Sequence, residues 1–197
     1  VSVSGSLTHG LGRWLDQQLK PIVQLLPSYI ASSFDLKKRL GRLTYEPSKI
    51  SLFTSDAVPM YTNIDTDHAL AVIATFLQTS PRCAGVPHAA IIHGLEILMR
   101  NNSFKFGDTS WPQLAGTAMG APPACMHATL CFAVYEMESL THFESSVTFY
   151  HQHADDCFGT WKHHPDPVID EAKWLSLKVS MQAHGSLEWE FTEQRKS

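Results

Sequence analysis

Four cysteines, Cys83, Cys125, Cys131 and Cys157, are spread over 197 residues, and no two of them stand in a Cys-x-x-Cys spacing. That spacing argues against a zinc ribbon or a disulfide framework and for free thiols in a reducing compartment. No apolar run reaches the roughly 20 residues that a bilayer-spanning helix needs, and no charged-then-apolar leader is present. The expectation is a soluble, intracellular protein, in the nucleus or the cytoplasm, with no membrane partner. Internal repeats and low-complexity tracts are lacking as well. So is an initiator Met: the chain opens Val1-Ser2-Val3, which is expected of a piece cut from something longer.

Positive charge is also scarce, with a net charge of −4, whereas a nucleic-acid binder usually presents a basic face. Its distribution is uneven. Residues 1–47 hold six Lys and Arg against three Asp and Glu, and residues 48–197 hold nine against sixteen. An acidic body with a modestly basic start is the pattern of a metal-using core whose charge-binding region is incomplete. With 44% hydrophobic residues there is enough apolar side chain for one domain with a substantial core, or one domain and a small appendage.

What stands out is the run from Phe149 to Trp161. Asp155 and Asp156 are adjacent carboxylates between two short segments rich in β-branched and aromatic residues, Ser146 to Tyr150 and Cys157 to Trp161. This predicts a β-hairpin with the acids at its turn. Like charges side by side repel, so the pair is either fully solvated at an exposed turn or neutralised by a cation. Hard divalent ions with oxygen ligands suit it, and two of them can hold the attacking and leaving oxygens of a phosphoryl transfer.

Along the rest of the chain, apolar residues at three- and four-residue spacings from Thr8 (Leu11, Trp14, Leu15, Leu19, Ile22, Val23) predict a helix interrupted by Pro21. Ser32 to Leu43 is a second amphipathic segment, whose Lys37, Lys38, Arg39 and Arg42 form either a solvated face or a phosphate contact. Ile50 to Asp56 reads as a strand delivering a carboxylate at its end, and Asp65-Thr66-Asp67 as the cap of a helix over His68 to Leu77. Residues 88–100 read as a helix on Ile91, Ile92, Leu95, Ile97 and Leu98. Residues 103–114 read as a hairpin turning at Gly107-Asp108. Gly116-Thr117-Ala118-Met119-Gly120-Ala121-Pro122-Pro123 opens a long apolar helix to about Leu140, and glycines there let a phosphate or base approach free backbone N–H groups. A helix from Pro165 to about Met181 and a half-buried strand from Ser186 to Phe191 complete the order.

That order of motifs resembles the palm of a reverse transcriptase, most similar to Penelope-like and related non-LTR retroelement enzymes. Phe53 to Ile64 resembles the family's first catalytic motif, Gly116 to Pro122 its Gly-x-Ala-Met-Gly-Ser-Pro loop, and Tyr150 to Trp161 its Tyr-x-Asp-Asp hairpin with the trailing Phe-Gly-x-Trp. The resemblance implies an α+β fold, a right-hand polymerase palm in which an antiparallel sheet is backed by helices. Residues 1–47 would be the C-terminal part of the fingers with linking helices, residues 48–197 the palm, and the thumb missing. It implies RNA-directed DNA synthesis, in which Asp56, Asp155 and Asp156 form the catalytic, metal-holding set for two Mg²⁺ or Mn²⁺ ions, with Asp156 supporting. Tyr61 would stack under the sugar and exclude a 2′-hydroxyl. Gly116, Met119 and Gly120 would border the incoming dNTP and the template base. The partners implied are an RNA template, a DNA primer, dNTPs, and flanking fingers and thumb segments of the same polyprotein.

The sequence departs from that pattern at His153-Ala154, where Tyr followed by Val or Ile is usual, and at Ala121, where Ser is commoner. Two other readings stand beside it. One is a catalytically inactive retroelement remnant that keeps a binding or structural role. The other is a zinc hydrolase using His151 and His153, because His151-x-His153-x-Asp155-Asp156 partly matches a His-x-His-x-Asp-His ligand set.

Overall fold

The alternation of apolar and polar side chains in the β-rich stretches, and the three-to-four spacing elsewhere, sort the chain into the elements of the computed structural model, which describes residues 7–46, 48–58, 60–117, 119–183 and 188–194. In chain order these are α1 (His9–Gln24), α2 (Ser33–Leu40), β1 (Ile50–Val58), α3 (Met60–Asn63), α4 (Thr66–Thr79), a 3-10 turn (Pro81–Cys83), α5 (His88–Arg100), β2 (Ser103–Phe106) and β3 (Thr109–Pro112). They continue with α6 (Ala124–Thr141), β4 (Val147–His153), β5 (Asp156–Lys162), α7 (Pro167–Gln182) and β6 (Glu188–Gln194). Two compact units divide them: one takes the chain up to Leu25 and again to Val134 from the end of β1, the other takes Leu26–Val58 and everything from Tyr135.

The first unit is helical, with one small hairpin. Leu15, Leu19, Ile22 and Val23 of α1, Ala69, Ile73 and Leu77 of α4, and Ile91, Leu95 and Leu98 of α5 are all buried. Each such leucine, isoleucine or valine contributes roughly 1.5–3 kcal/mol on burial, so this face holds the unit together. Helix α1 continues through Pro21 rather than breaking there. Pro21 is exposed and close to the helix end, where water can take the carbonyl that its missing N–H leaves. The expected cap is present, with the Asp65 carboxylate accepting the His68 N–H at 2.8 Å. In α5 the buried set is Ile91, Gly94, Leu95, Leu98 and Met99. Ile97, expected among the apolar positions, is 37% exposed.

The second unit is built on a four-stranded antiparallel sheet in the order β4-β5-β1-β6. Strand β1 alternates strictly: Ser51, Phe53, Ser55 and Ala57 are buried, while Leu52, Thr54, Asp56 and Val58 point to the opposite, more open side. Helix α7 covers the buried side, where Trp174 meets Phe53 at 5.2 Å and Trp161 at 5.0 Å between ring centroids. Gly159, directly opposite Phe53 in the register, leaves the space that the Phe53 ring occupies, and any Cβ there would collide with it. Beyond β4, Gln152 donates to Ser28 O at 2.7 Å and accepts from Ile30 N–H at 3.1 Å, so the segment before α2 covers part of an otherwise open sheet edge.

The architecture is therefore α+β with an antiparallel sheet backed by helices, as the sequence predicts. Among the described residues no helix is long and apolar enough to cross a membrane.

Candidate active site

Strand register decides where the acids stand. Asp56 lies opposite Asp156 of β5 on one side and Glu190 of β6 on the other. Directly paired residues in an antiparallel ladder put their side chains on the same face, about 5 Å apart. Three strands thus line up Glu190, Asp56 and Asp156 on the open side of the sheet. Asp155 sits one residue earlier, in the two-residue turn that joins His153 to Asp156. Ala154, the first residue of that turn, has φ 55°, a left-handed conformation that costs a non-glycine residue about 1 kcal/mol or more.

The electrostatics follow from that row. Burial raises the Asp56 pKa, and the neighbouring charges of Asp155, Asp156 and Glu190 raise it further; against them stands only the Ala57 backbone N–H. Among the causes that shift Asp56 there is no cationic side chain of the described residues, and the neighbouring acids offer oxygen donors. This donor set, with its surplus of negative charge, fits a hard divalent cation. Among the described residues, no group of three His, Cys, Asp or Glu side chains is arranged closely enough to hold a metal by itself. The carboxylates are adjacent but not closed around a point.

His151 and His153 share a face of β4. The His151 ring nitrogen Nδ1 is 3.2 Å from the Ser28 carbonyl, and burial, then the Arg39 charge, lower its pKa. His153 is exposed and pairs with Asp156 in the register. Of the expected basic face, Lys37 and Lys38 of α2 are exposed, while Arg39 is engaged by Asp35 at 3.0 Å.

The remaining sequence-predicted site residues belong to the helical unit. Tyr61 is in α3, and its carbonyl accepts the Thr117 N–H at 2.6 Å, while Gly116 N–H reaches Ile64 O at 2.9 Å. Two segments some fifty residues apart are thereby sewn together. Gly116 has φ 81°, and a Cβ there would come within 2.6 Å of Tyr61 O, so the position requires glycine on both counts. Met119 and Gly120 follow on the same loop, exposed. Behind them Thr117 Oγ1 meets His127 Nδ1 at 2.9 Å, and burial holds His127 neutral with its pKa lowered to about 4.

Sequence reasoning missed three features of the sheet-bearing unit. Glu190 was legible in principle, since Glu188 and Glu190 alternate with the buried Trp189. Glu136 had a signal too, an acid in a mostly apolar helix; it is 2% exposed and accepts from the Tyr150 hydroxyl at 2.9 Å and the Cys157 thiol at 3.3 Å. The third had none: Ser51 Oγ is 2.6 Å from His163 Nε2, whose Nδ1 is 2.8 Å from Asp170 Oδ2. Ser51 is only 4% exposed on the helix-covered side of β1, so this relay is a structural clasp.

No family model and no curated protein matches the chain. Solved structures do. Telomerase from Candida albicans, in complex with a TWJ fragment of telomeric RNA, superposes with a TM-score of 0.65 at 12% identity, over 99% of this chain and 36% of that one. Apo telomerase from Candida tropicalis, truncated from its C-terminal domain, gives 0.62 at 10% identity, over 99% and 42%. The BmCPV RNA-dependent RNA polymerase at its elongation state gives 0.62 at 15% identity, over 95% and 18%. The chain thus spans less than half the length of each of these structures, and it shares their polymerase palm-like fold.

Proposed function

We propose that the chain is the palm of an RNA-directed DNA polymerase of a retroelement, joining dNTPs to a primer 3′-hydroxyl on an RNA template. The observation that carries this reading is the register of Asp56 against Asp156, beside Asp155, with the charges of Asp155, Asp156 and Glu190 all raising the Asp56 pKa. Asp56 and Asp155 would hold two Mg²⁺ or Mn²⁺ ions, and Asp156 would support them. Those ions supply the lowered pKa of the primer hydroxyl and the neutralisation of charge on the departing pyrophosphate.

The protein's own part is to bring oxygen donors together where paired strands end, Asp56 from β1 and Asp155 from the two-residue turn that leads into β5. Tyr61 serves as the side chain that stacks under the sugar of the incoming nucleotide, and Gly116, Met119 and Gly120 as the border of its base. Residues 1–47 are the end of the fingers and residues 48–197 the palm, with the fingers and thumb of the same polyprotein completing the grip on template and primer. Fold likeness to telomerase and to viral RNA polymerases supports a templated polymerase; the resemblance of Phe53 to Ile64 and of the Asp155-Asp156 hairpin to reverse-transcriptase motifs favours DNA as the product.

The test is primer extension by the full-length protein on an RNA template with Mg²⁺. Asp56→Asn and Asp155→Asn should each lower incorporation by at least about a thousandfold, since several kcal/mol of charge stabilisation are removed. Tyr61→Ala should admit ribonucleotides. Full extension by Asp155→Asn would end the polymerase reading. A wild-type protein that binds template-primer without extending it would mark an inactive remnant.

A further inference from the structure

The hairpin that carries Asp155 and Asp156 is held from behind. On the buried side of the sheet, Glu136 Oε1 accepts from the Tyr150 hydroxyl of β4 at 2.9 Å and from the Cys157 thiol of β5 at 3.3 Å. One oxygen thus takes one donor from each strand of the hairpin. Glu136 and Cys157 are each 2% exposed, and burial pushes the Tyr150 and Cys157 pKa values up, so both donors keep their protons.

These contacts adjoin the acids on every side. Cys157 directly follows Asp156, and its thiol, which has a single proton to give, also lies 3.9 Å from the Asp155 carbonyl. In the register Cys157 faces Ser55, the residue before Asp56. On its other side it faces Gln152, whose amide donates to the Ala154 carbonyl at 2.8 Å. A shift of Cys157 would therefore be felt by Asp156, by the turn and by the pairing with β1.

We propose, on the reading of these acids as metal holders, that Glu136 is a positioning residue: by holding Tyr150 and Cys157 on one oxygen it fixes where the hairpin sets Asp155 and Asp156 against Asp56. Packing alone does not account for a carboxylate at this place. Replacing a buried polar group by an apolar one of the same shape can be nearly neutral when its partners go too, and Glu136 Oε2 has no partner. An apolar side chain would cost the fold less, but it could not give donors from two strands the same fixed point. A proton taken up on the free Oε2 leaves Oε1 able to accept, so the clamp holds in both ionisation states. Without the clamp, the Asp155 carbonyl becomes one of the acceptors open to the Cys157 thiol, and the turn loses its fixed place over β5.

The experiment uses the full-length protein and reads every variant per folded molecule. It measures single-turnover primer extension against Mg²⁺ and dNTP concentration, and Mn²⁺ binding without nucleic acid by the loss of the free-ion EPR signal. Glu136→Leu should lower the extension rate and weaken Mn²⁺ binding, each by about tenfold or more, as replacing a group that orients metal ligands does, while KM for dNTP stays unchanged. Glu136→Gln, which keeps an acceptor at Oε1, should recover most of that loss. Tyr150→Phe and Cys157→Ala should each cost part of it, and neither should add to it in the Glu136→Leu background.

A merely structural role would lower the melting temperature and leave rate and Mn²⁺ affinity per folded molecule unchanged, and that result would overturn the proposal. So would a loss in Glu136→Gln equal to that in Glu136→Leu, or an undiminished Tyr150→Phe effect in the Glu136→Leu background. If Glu136→Leu does not fold, Tyr150→Phe and Cys157→Ala decide, and wild-type extension and Mn²⁺ affinity in both would overturn it. A wild-type protein that binds Mn²⁺ without extending a primer overturns the polymerase reading alone, and the Mn²⁺ affinities then test Glu136; one that does neither overturns both.

Discussion

Asp56 and Asp170 both belong to the sheet-bearing unit, yet their surroundings treat the two carboxylates in opposite ways. Burial alone would raise the pKa of Asp170, but it accepts hydrogen bonds from His163, the His164 N–H and the Trp161 indole, and these bring its pKa below the ordinary value. Asp56 has burial and three like charges against it and ends above the ordinary value. One strand serves both environments: Ser51, on the buried face of β1, reaches the Asp170 clasp through His163, and Asp56, five residues on, is on the other face. Hydrogen bonds gathered around an acid mark a group that holds the fold. Charge left uncompensated is what the proposed metal site requires of Asp56.

The sharpest way to break that comparison is to neutralise each acid in turn. Asp56→Asn should abolish Mg²⁺-dependent extension, by about a thousandfold or more, and at the same time raise the melting temperature at neutral pH. The sign follows from the raised pKa: folded Asp56 binds protons more readily than unfolded, so its contribution to stability falls as pH rises above the ordinary carboxylate range, and removing the charge recovers it. Asp170→Asn, compared at equal folded fraction, should leave extension unchanged.

Stability reverses the order. Asp170→Ala strips the partners from a buried indole N–H and from His163, and should cost about 2–4 kcal/mol in denaturant unfolding. Because the Asp170 pKa is lowered, the stability it supplies is present above its unfolded value near 3.9 and lost as pH falls below that. A cost below about 0.5 kcal/mol would show that the clasp contributes little.

Glu136 lies between the two cases, with two donors on one oxygen and none on the other. Its pKa of about 7 means that the folded protein should lose stability between pH 5 and pH 8, by roughly 3 kcal/mol at most. Glu136→Gln, which keeps an acceptor for Tyr150 and Cys157, should flatten that slope. The smallest effect is at the turn. Ala154→Gly should relieve the positive φ and stabilise the hairpin by about 1 kcal/mol, readable as slower amide exchange at His153 and Asp156.

Much of this was legible in the amino-acid order. The acids between two β-rich runs announced the hairpin, and Ile50 to Asp56 read as a strand delivering a carboxylate at its end; the strand in fact runs on to Val58, with Asp56 on its more open face. Asp65 was a readable cap. Strands β4 and β5 extend further toward the turn than their propensities show, so that Asp156 opens a strand and Asp155 alone stays in the turn with Ala154. Pairing partners, not local preference, set those ends. The short helix α3 was not read, because a single turn leaves no periodicity. Of the expected last strand, residues 186 and 187 lie outside the described residues, and β6 runs on to Gln194.

The sequence by itself determined the kinds of element and which residues could carry negative charge, because periodicity and turn chemistry act over a few residues. Only the tertiary structure decided that Asp56 stands between Asp156 and Glu190, that Ser51 meets His163, and that Glu136 is buried with one oxygen free. Register between strands a hundred residues apart follows from the matching of whole apolar faces, and a slip of one residue would turn a strand's side chains, Asp56 or Asp156 among them, to the other side of the sheet.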